Sequence, residues 1–219
     1  MNINKNQFEI LSYIEREGGR KITQRELADR TRLSLGLANR TLGELDNLGL
    51  VSFNAKKEIQ VTKSGLEALE PYRVKRAVII AAGFGSRLVP ITLNTPKPLV
   101  RVHGKPIVET LLDAIVKAGI MEIVLVRGYL GEQFEILRQK YPQIRFLENP
   151  LFNEANNISS AWLARDLLQN AYVCEADLLL GNPDLIRKYE YHSNYLGQYK
   201  DVTDDWCFKV KQGIIRELL

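Results

Sequence analysis

The sequence predicts an α/β protein: a mostly parallel sheet with helices on both faces, preceded by a small, mainly helical domain. Three observations point there. Beyond about residue 73, short apolar runs alternate with helix-period segments, the order that builds a parallel sheet. Before it, helix-period patterns dominate and end in a two-strand pattern. Between them, Pro71-Tyr-Arg-Val-Lys-Arg76 is a short basic connector whose proline carries the boundary signal. The expected division is 1–72 and 73–219.

In the first segment Phe8, Ile10, Leu11 and Ile14 line one face of a helix that ends before Gly18-Gly19. Thr23-Gln-Arg-Glu26 has the capping-box pattern and opens a short helix through Leu27 and Ala28. Ser34 caps a third helix, with apolar positions at Leu35, Leu37, Ala38, Leu42, Leu45 and Leu48 and a stop at Gly49. Residues 50–53 and 58–62 flank the polar turn Asn54-Ala-Lys-Lys57, a hairpin pattern, and 63–69 add a closing helix. Three helices followed by a hairpin wing resemble the winged helix-turn-helix domain of bacterial regulators. Arg32, Asn39 and Arg40, with Lys56 and Lys57 at the wing tip, are residue types that contact phosphates and bases. Glu44 and Asp46 oppose them, and residues 1–70 carry eleven Lys/Arg against ten Asp/Glu. DNA binding through 1–72, dimerisation and docking all stay open, because a fold does not set its function.

In the second segment the apolar run 77–82 reads as a buried parallel strand. Residues 106–117 read as a helix, with proline at its start and Gly119 beyond its end. Strand patterns at 122–127, 144–148 and 171–175 then alternate with helix patterns at 132–140 and 158–168.

At 219 residues the chain has room for both domains. No apolar run is long enough to span a membrane, and Met1-Asn-Ile-Asn-Lys-Asn6 lacks the apolar stretch of a secretory signal. Cys174 and Cys207 stand outside any CxxC spacing, which suits a reducing, cytoplasmic setting. The net charge of +4 fits a handler of anionic nucleotides and is too mild to argue for nucleic acid.

Residues 83–99, Gly-Phe-Gly-Ser-Arg-Leu-Val-Pro-Ile-Thr-Leu-Asn-Thr-Pro-Lys-Pro-Leu, follow the run 77–82 directly. A strand opening into a glycine turn with two cations, Arg87 and Lys97, is suited to a polyphosphate. Glycines let backbone N–H groups approach phosphate oxygens, and the cations offset their charge. The P-loop pattern is absent, and the third glycine of a dinucleotide fingerprint is missing. What remains, AAGxGSRLxPxT…TPKPLVxVxGKPIxE, closely resembles the signature of the nucleotidyltransferases that activate sugar phosphates and phosphocholine. The resemblance runs from Ala77 to about Phe208. It implies a Rossmann-like nucleotidyltransferase fold and transfer of a nucleotidyl group from an NTP with release of pyrophosphate. By resemblance, Ala81, Ala82 and Gly83 border the base and ribose, and Gly85 and Ser86 lie near the phosphates. Arg87 would hold the β- and γ-phosphates, and Lys97 would reach the α-phosphate and the incoming phosphate. The Asn156-Asn-Ile-Ser-Ser160 stretch implies base and ribose contacts from Asn157 and Ser159, although either also suits an N-cap. Asp177, closing Val173-Cys-Glu-Ala-Asp177, takes the place of an Mg²⁺ ligand.

Several features are more similar to the CTP:phosphocholine cytidylyltransferases than to the sugar-1-phosphate enzymes. These are Arg127-Gly-Tyr-Leu-Gly-Glu-Gln-Phe134, the Asn-Asn-x-x-Ser stretch, and Glu-Ala-Asp in place of Gly-Asp. Asp204-Asp-Trp206 falls where that group has a choline-site Trp, so Trp206 and Asp205 are implied acceptor contacts. A quaternary ammonium donates no hydrogen bond and is recognised by aromatic faces and carboxylates. Trp206 as a half-buried core residue is the competing reading. The resembled enzymes carry a second metal-binding Asp beyond the point matched by Leu219, so a C-terminally truncated domain is expected.

The expected function is nucleotidyl transfer from CTP to phosphocholine. The alternatives are a sugar-1-phosphate nucleotidyltransferase and a DNA-binding regulator that senses a ligand through a nucleotidyltransferase-like domain. Tyr189, Tyr191, Tyr195 and Tyr199 could pack, pair with a second copy in a homodimer, or border the acceptor. His103 and His192 lack metal-ligand spacing.

Overall fold

Asn4 and Gln7 open the chain with a capping box that the sequence patterns did not single out. Asn4 Oδ1 accepts from the Gln7 N–H and Gln7 Oε1 from the Asn4 N–H, each at 3.0 Å. In this computed structural model, residues 2–54, 58–155, 157–197, 199–203 and 207–219 are described. The cap starts α1 (Lys5–Glu17), followed by α2 (Gln24–Thr31) and α3 (Leu35–Asn47). Strands β1 (Val51–Phe53) and β2 (Ile59–Val61) form the antiparallel wing, and α4 (Lys63–Leu69) closes the unit. Phe8, Leu11, Ile14, Leu27, Leu42 and Leu45 point into one core, so the expected winged helix is present.

Ser34 caps α3 as expected, accepting from the Leu37 N–H at 3.3 Å. The capping box expected at Thr23 is only half formed. Thr23 Oγ1 accepts from the Glu26 N–H at 3.1 Å, but the Glu26 carboxylate turns to Arg20 at 2.5 Å and Tyr13 at 3.1 Å. A charged donor outcompetes a neutral backbone amide for that carboxylate.

Beyond the connector, β3 (Arg76–Ala81) leads into the glycine loop of residues 83–99, named the phosphate loop for the role expected of it. Strands β4 (Arg101–Val102) and β5 (Lys105–Pro106) make a tight hairpin. Its turn is His103-Gly104, both with positive φ, which gives His103 a turn-forming place. Next come α5 (Ile107–Lys117), β6 (Glu122–Arg127), β7 (Ile144–Glu148), α6 (Asn157–Leu163) and β8 (Ala171–Glu175). The sheet order is β7-β6-β3-β8, every pair parallel. The central strand alternates between two cores. Ala77, Ile79 and Ala81 pack with Val108, Leu111, Leu112 and Ile115 of α5. Val78 and Ile80 face the other side, with Leu163 and Ala164. Helices on both faces are what the uninterrupted apolar run required. A last hairpin, β9 (Phe208–Lys211) with β10 (Ile214–Leu218), is largely exposed.

Two expected helices differ. Residues 131–139 wind as a 3₁₀ helix rather than an α-helix over 132–140. Their two buried large side chains, Phe134 and Leu137, are three residues apart, a spacing that a three-residue turn stacks on one face. The helix expected over 158–168 breaks after Leu163 and resumes as a 3₁₀ turn over Arg165–Leu167. Because α6 begins at Asn157, both Asn157 and Ser159 lie inside its first turn and neither is the N-cap.

After β8 the chain crosses to the winged helix. Arg187 Nη2 donates to Glu9 at 3.0 Å and Ser12 Oγ at 3.1 Å, and Lys188 Nζ pairs with Glu15 at 2.5 Å. Tyr189, 2% exposed, joins the winged-helix core, and Tyr191 stacks on Tyr72 at 5.3 Å. The Val74 N–H donates to Lys188 O and the Glu190 N–H to Tyr72 O, both at 2.9 Å. Tyr172 on β8 binds both ends of this strap: its hydroxyl accepts from the Arg187 N–H at 2.9 Å and donates to Glu190 Oε1 at 2.7 Å. Tyr195 packs edge-on against Phe208, while Tyr199 is fully exposed. Among the described residues no helix is long and apolar enough to cross a membrane.

Candidate active site

β3 ends at Ala81, and buried Ala82 carries the chain out at the C-terminal edge of the sheet. Parallel sheets bind ligands at that edge. Gly83 and Phe84 are exposed, and Gly85 turns the chain back with φ of +69°. A Cβ at Gly85 would lie 3.1 Å from Lys97 Cβ and 3.2 Å from Thr92 Cγ2, so glycine lets the loop fold onto itself. Fully buried Thr92 fastens the fold by donating to Gly85 O at 3.0 Å. Ser86 and Arg87 stand exposed on a 3₁₀ turn, and among the described residues Arg87 makes no ion pair. Pro96 and Pro98, on either side of Lys97, are both buried and hold that stretch of loop in place.

Lys97 Nζ forms an ion pair with Asp177 Oδ2 across eighty residues of sequence. Asp177 lies just past the end of β8, the strand paired with β3, where the Ala176 N–H donates to Ile80 O at 2.9 Å. Glu175 accepts from Asn157 Nδ2 at 3.1 and 3.2 Å. Desolvation, and then the Asp177 charge, raise the Glu175 pKa; Asn157 and Lys97 oppose the rise. Ser159 and Ser160 share one partner: the buried Asn149 side chain donates to Ser159 Oγ at 3.0 Å and Ser160 Oγ at 2.9 Å. Beside them Asn149, Pro150, Leu151, Ile158, Ser159, Trp162 and Leu163 line a hollow of about 340 Å³.

The glycine loop, Lys97, Asp177 and the start of α6 thus converge on one sheet edge. Trp206 and Asp205 lie outside the described residues, as do Lys56, Lys57 and Asn156. Asn149 and the Asn157–Glu175 pairing were not read from sequence. A lone Asn closing an apolar strand was the available signal, since a buried amide needs several partners.

Chemically, Arg87 offers a planar fork for two phosphate oxygens and Lys97 a compact charge. Asp177 supplies a hard oxygen ligand of the kind Mg²⁺ shares with phosphates. One such carboxylate beside a phosphate loop fits an ion held jointly by protein and substrate.

Residues 76–203 match the nucleotidyl transferase family, and residues 1–56 match the MarR family. The chain is 42% identical over 135 residues to 2-aminoethylphosphonate cytidylyltransferase of Lancefieldella rimae, covering 60% of this chain and 55% of that protein. It is 39% identical over 132 residues to choline-phosphate cytidylyltransferase of Streptococcus pneumoniae, covering 60% and 57%. Among solved structures, CTP:phosphocholine cytidylyltransferase from Streptococcus pneumoniae superposes with a TM-score of 0.63. That match has 36% identity and covers 67% of this chain and 64% of the other. The chain spans little more than half the length of the curated relatives it matches.

Proposed function

The chain belongs to the nucleotidyl transferase family, and on that premise we propose that it transfers a cytidylyl group from CTP to a small amine or quaternary ammonium compound carrying a phosphate or phosphonate, phosphocholine foremost. The observation that carries this reading is the ion pair between Lys97 and Asp177 beside the Arg87 loop. An acceptor oxygen attacks the α-phosphorus of CTP, the new P–O bond forms, and the bond to pyrophosphate breaks. Negative charge shifts onto the leaving group, so catalysis is mainly positioning and cationic stabilisation. Arg87 grips the outer phosphates. Lys97, released from Asp177 by the incoming polyphosphate, bridges the α-phosphate and the acceptor. Asp177 would hold Mg²⁺, which when bound adds charge neutralisation at the phosphates. Asn157 and Ser159 face the nucleoside in this reading.

Pyrophosphate release tests it, with CTP and Mg²⁺ and one acceptor at a time: phosphocholine, 2-aminoethylphosphonate or a hexose 1-phosphate. Release with phosphocholine is expected. Release with the phosphonate alone keeps the reaction and changes the acceptor; release with the hexose phosphate alone moves the chain to the sugar enzymes. No release with any of them overturns the reading for this chain.

The MarR match supports a second activity, DNA binding through residues 1–72. Arg32 and Arg40 are exposed around α3, although Arg40 is tied to Glu44 at 3.2 Å and Leu35 and Leu37 share the exposed first turn. Salt-dependent retention of DNA from the protein's own locus would support it; no retention at low salt would remove it.

A further inference from the structure

We infer that Tyr129 and Gln133 are positioning residues that clamp the phosphate loop into its nucleotide-binding shape. The inference rests on the proposed cytidylyl transfer. Residues 128–133 follow β6 and hold the loop at three places: Ala82 just before it, Phe84 at its start, and Leu93-Asn94 within its second half. The Tyr129 N–H donates to Ala82 O at 3.1 Å. The Tyr129 ring meets Phe84 edge-on with centroids 4.5 Å apart. Further along, Tyr129 Oη donates to Leu93 O at 3.2 Å and Gln133 Nε2 to Asn94 O at 3.0 Å. Lys97 follows only three residues after Asn94, with Thr95 and Pro96 between. Fixing those two carbonyls therefore limits where its ammonium can reach.

The clamp stands on a braced base. A Cβ at Gly128 would come within 2.5 Å of Phe152 Cβ, so the backbone there is seated directly on that side chain. Arg127 bridges Glu148 at 2.6 Å and Glu135 at 3.0 Å and lies over the Phe146 ring at 4.1 Å. None of these clamp side chains carries a charge toward the loop. Their contribution is to hold the loop's shape before nucleotide arrives, which lowers the ordering cost of binding.

The test uses the full chain with Tyr129→Phe and Gln133→Leu, singly and together. Tyr129→Phe keeps the ring against Phe84 and removes only the hydroxyl donor. Each neutral hydrogen bond corresponds to roughly three- to tenfold in an equilibrium. In the double variant, amide exchange across 85–95 should quicken about tenfold while exchange in β3 and β6 is unchanged. Affinity for CTP with Mg²⁺, by equilibrium dialysis, should fall about tenfold, with a smaller rise in KM for the acceptor, which meets the loop only through Lys97. Unchanged exchange at 85–95 overturns the clamp, as does faster exchange with unaltered CTP affinity. If the double variant does not fold, Tyr129→Phe alone carries the same measurements at about a threefold effect. A parent chain that does not bind CTP sinks the proposed function, while exchange still decides whether the clamp exists.

Discussion

The strap under α1 and the phosphate loop each join parts of the chain that are far apart in sequence, and they are joined in opposite ways. Arg187 meets Glu9 across 178 residues, and two residues further on Tyr189 is sealed in the winged-helix core at 2% exposure. Lys97 meets Asp177 across eighty residues, and among the described residues no buried aromatic ring is seen against that pair. Apolar burial makes the first a fixed joint. The second is polar and open, so a ligand can part it and take its place. One region maintains the body, and the other is left to be completed from outside.

The largest effect should come from removing the seal. Tyr189→Ala deletes a buried aromatic ring and should lower stability by about 3–5 kcal/mol, read as a lower urea midpoint. A loss below about 1 kcal/mol would erase the contrast. The site should answer oppositely. Lys97→Ala should cut turnover by about 100-fold or more while shifting stability by less than about 1 kcal/mol, because ion pairs this exposed hold little folding energy. A large drop in melting temperature would make the loop a structural joint as well.

The smallest effect concerns Asp113. Burial alone would raise its carboxyl pKa, but hydrogen bonds from Lys105, Tyr141 and Lys140 outweigh this and bring it down to about 2. A depressed carboxylate stabilises the fold above its unfolded pKa and loses that contribution as pH falls through the folded one. The change should therefore appear between about pH 4 and pH 2 and vanish in Asp113→Asn. Its size should stay under about 1 kcal/mol, since the carboxylate is 38% exposed. A larger acid effect would mean that polar contacts alone can also make a fixed joint.

Much of this was legible in the chain itself. The run 77–82 announces a strand covered on both faces, and Phe8, Leu11 and Ile14 announce the buried face of α1. Arg87, Lys97 and Asp177 were readable because glycines, prolines and a strand end fix their surroundings locally. The strap was not. Tyr189 was readable as a packing residue, and it does pack. Arg187 and Lys188, however, look like ordinary polar chain until Glu9 and Glu15 are beside them, and nothing nearby in sequence announces those partners. The 3₁₀ winding of 131–139 was hidden for a different reason: its two large buried side chains, Phe134 and Leu137, are three residues apart, a spacing that suits either helix. Tyr129 and Gln133 were visible as part of a motif, but their role depends on which carbonyls they reach.

The strap also bears on inheritance. A recombination joining a different winged helix at Pro71–Arg76 would preserve every residue of the sheet and the phosphate loop. It would still bring Tyr189 to a neighbour with no socket for it, and Arg187 and Lys188 to one without Glu9 and Glu15. The N-terminal unit can therefore be exchanged only for one that already carries a matching pocket, or together with the strap itself. Such a lineage would change both pieces in step, leaving compensating substitutions at 189 and under α1.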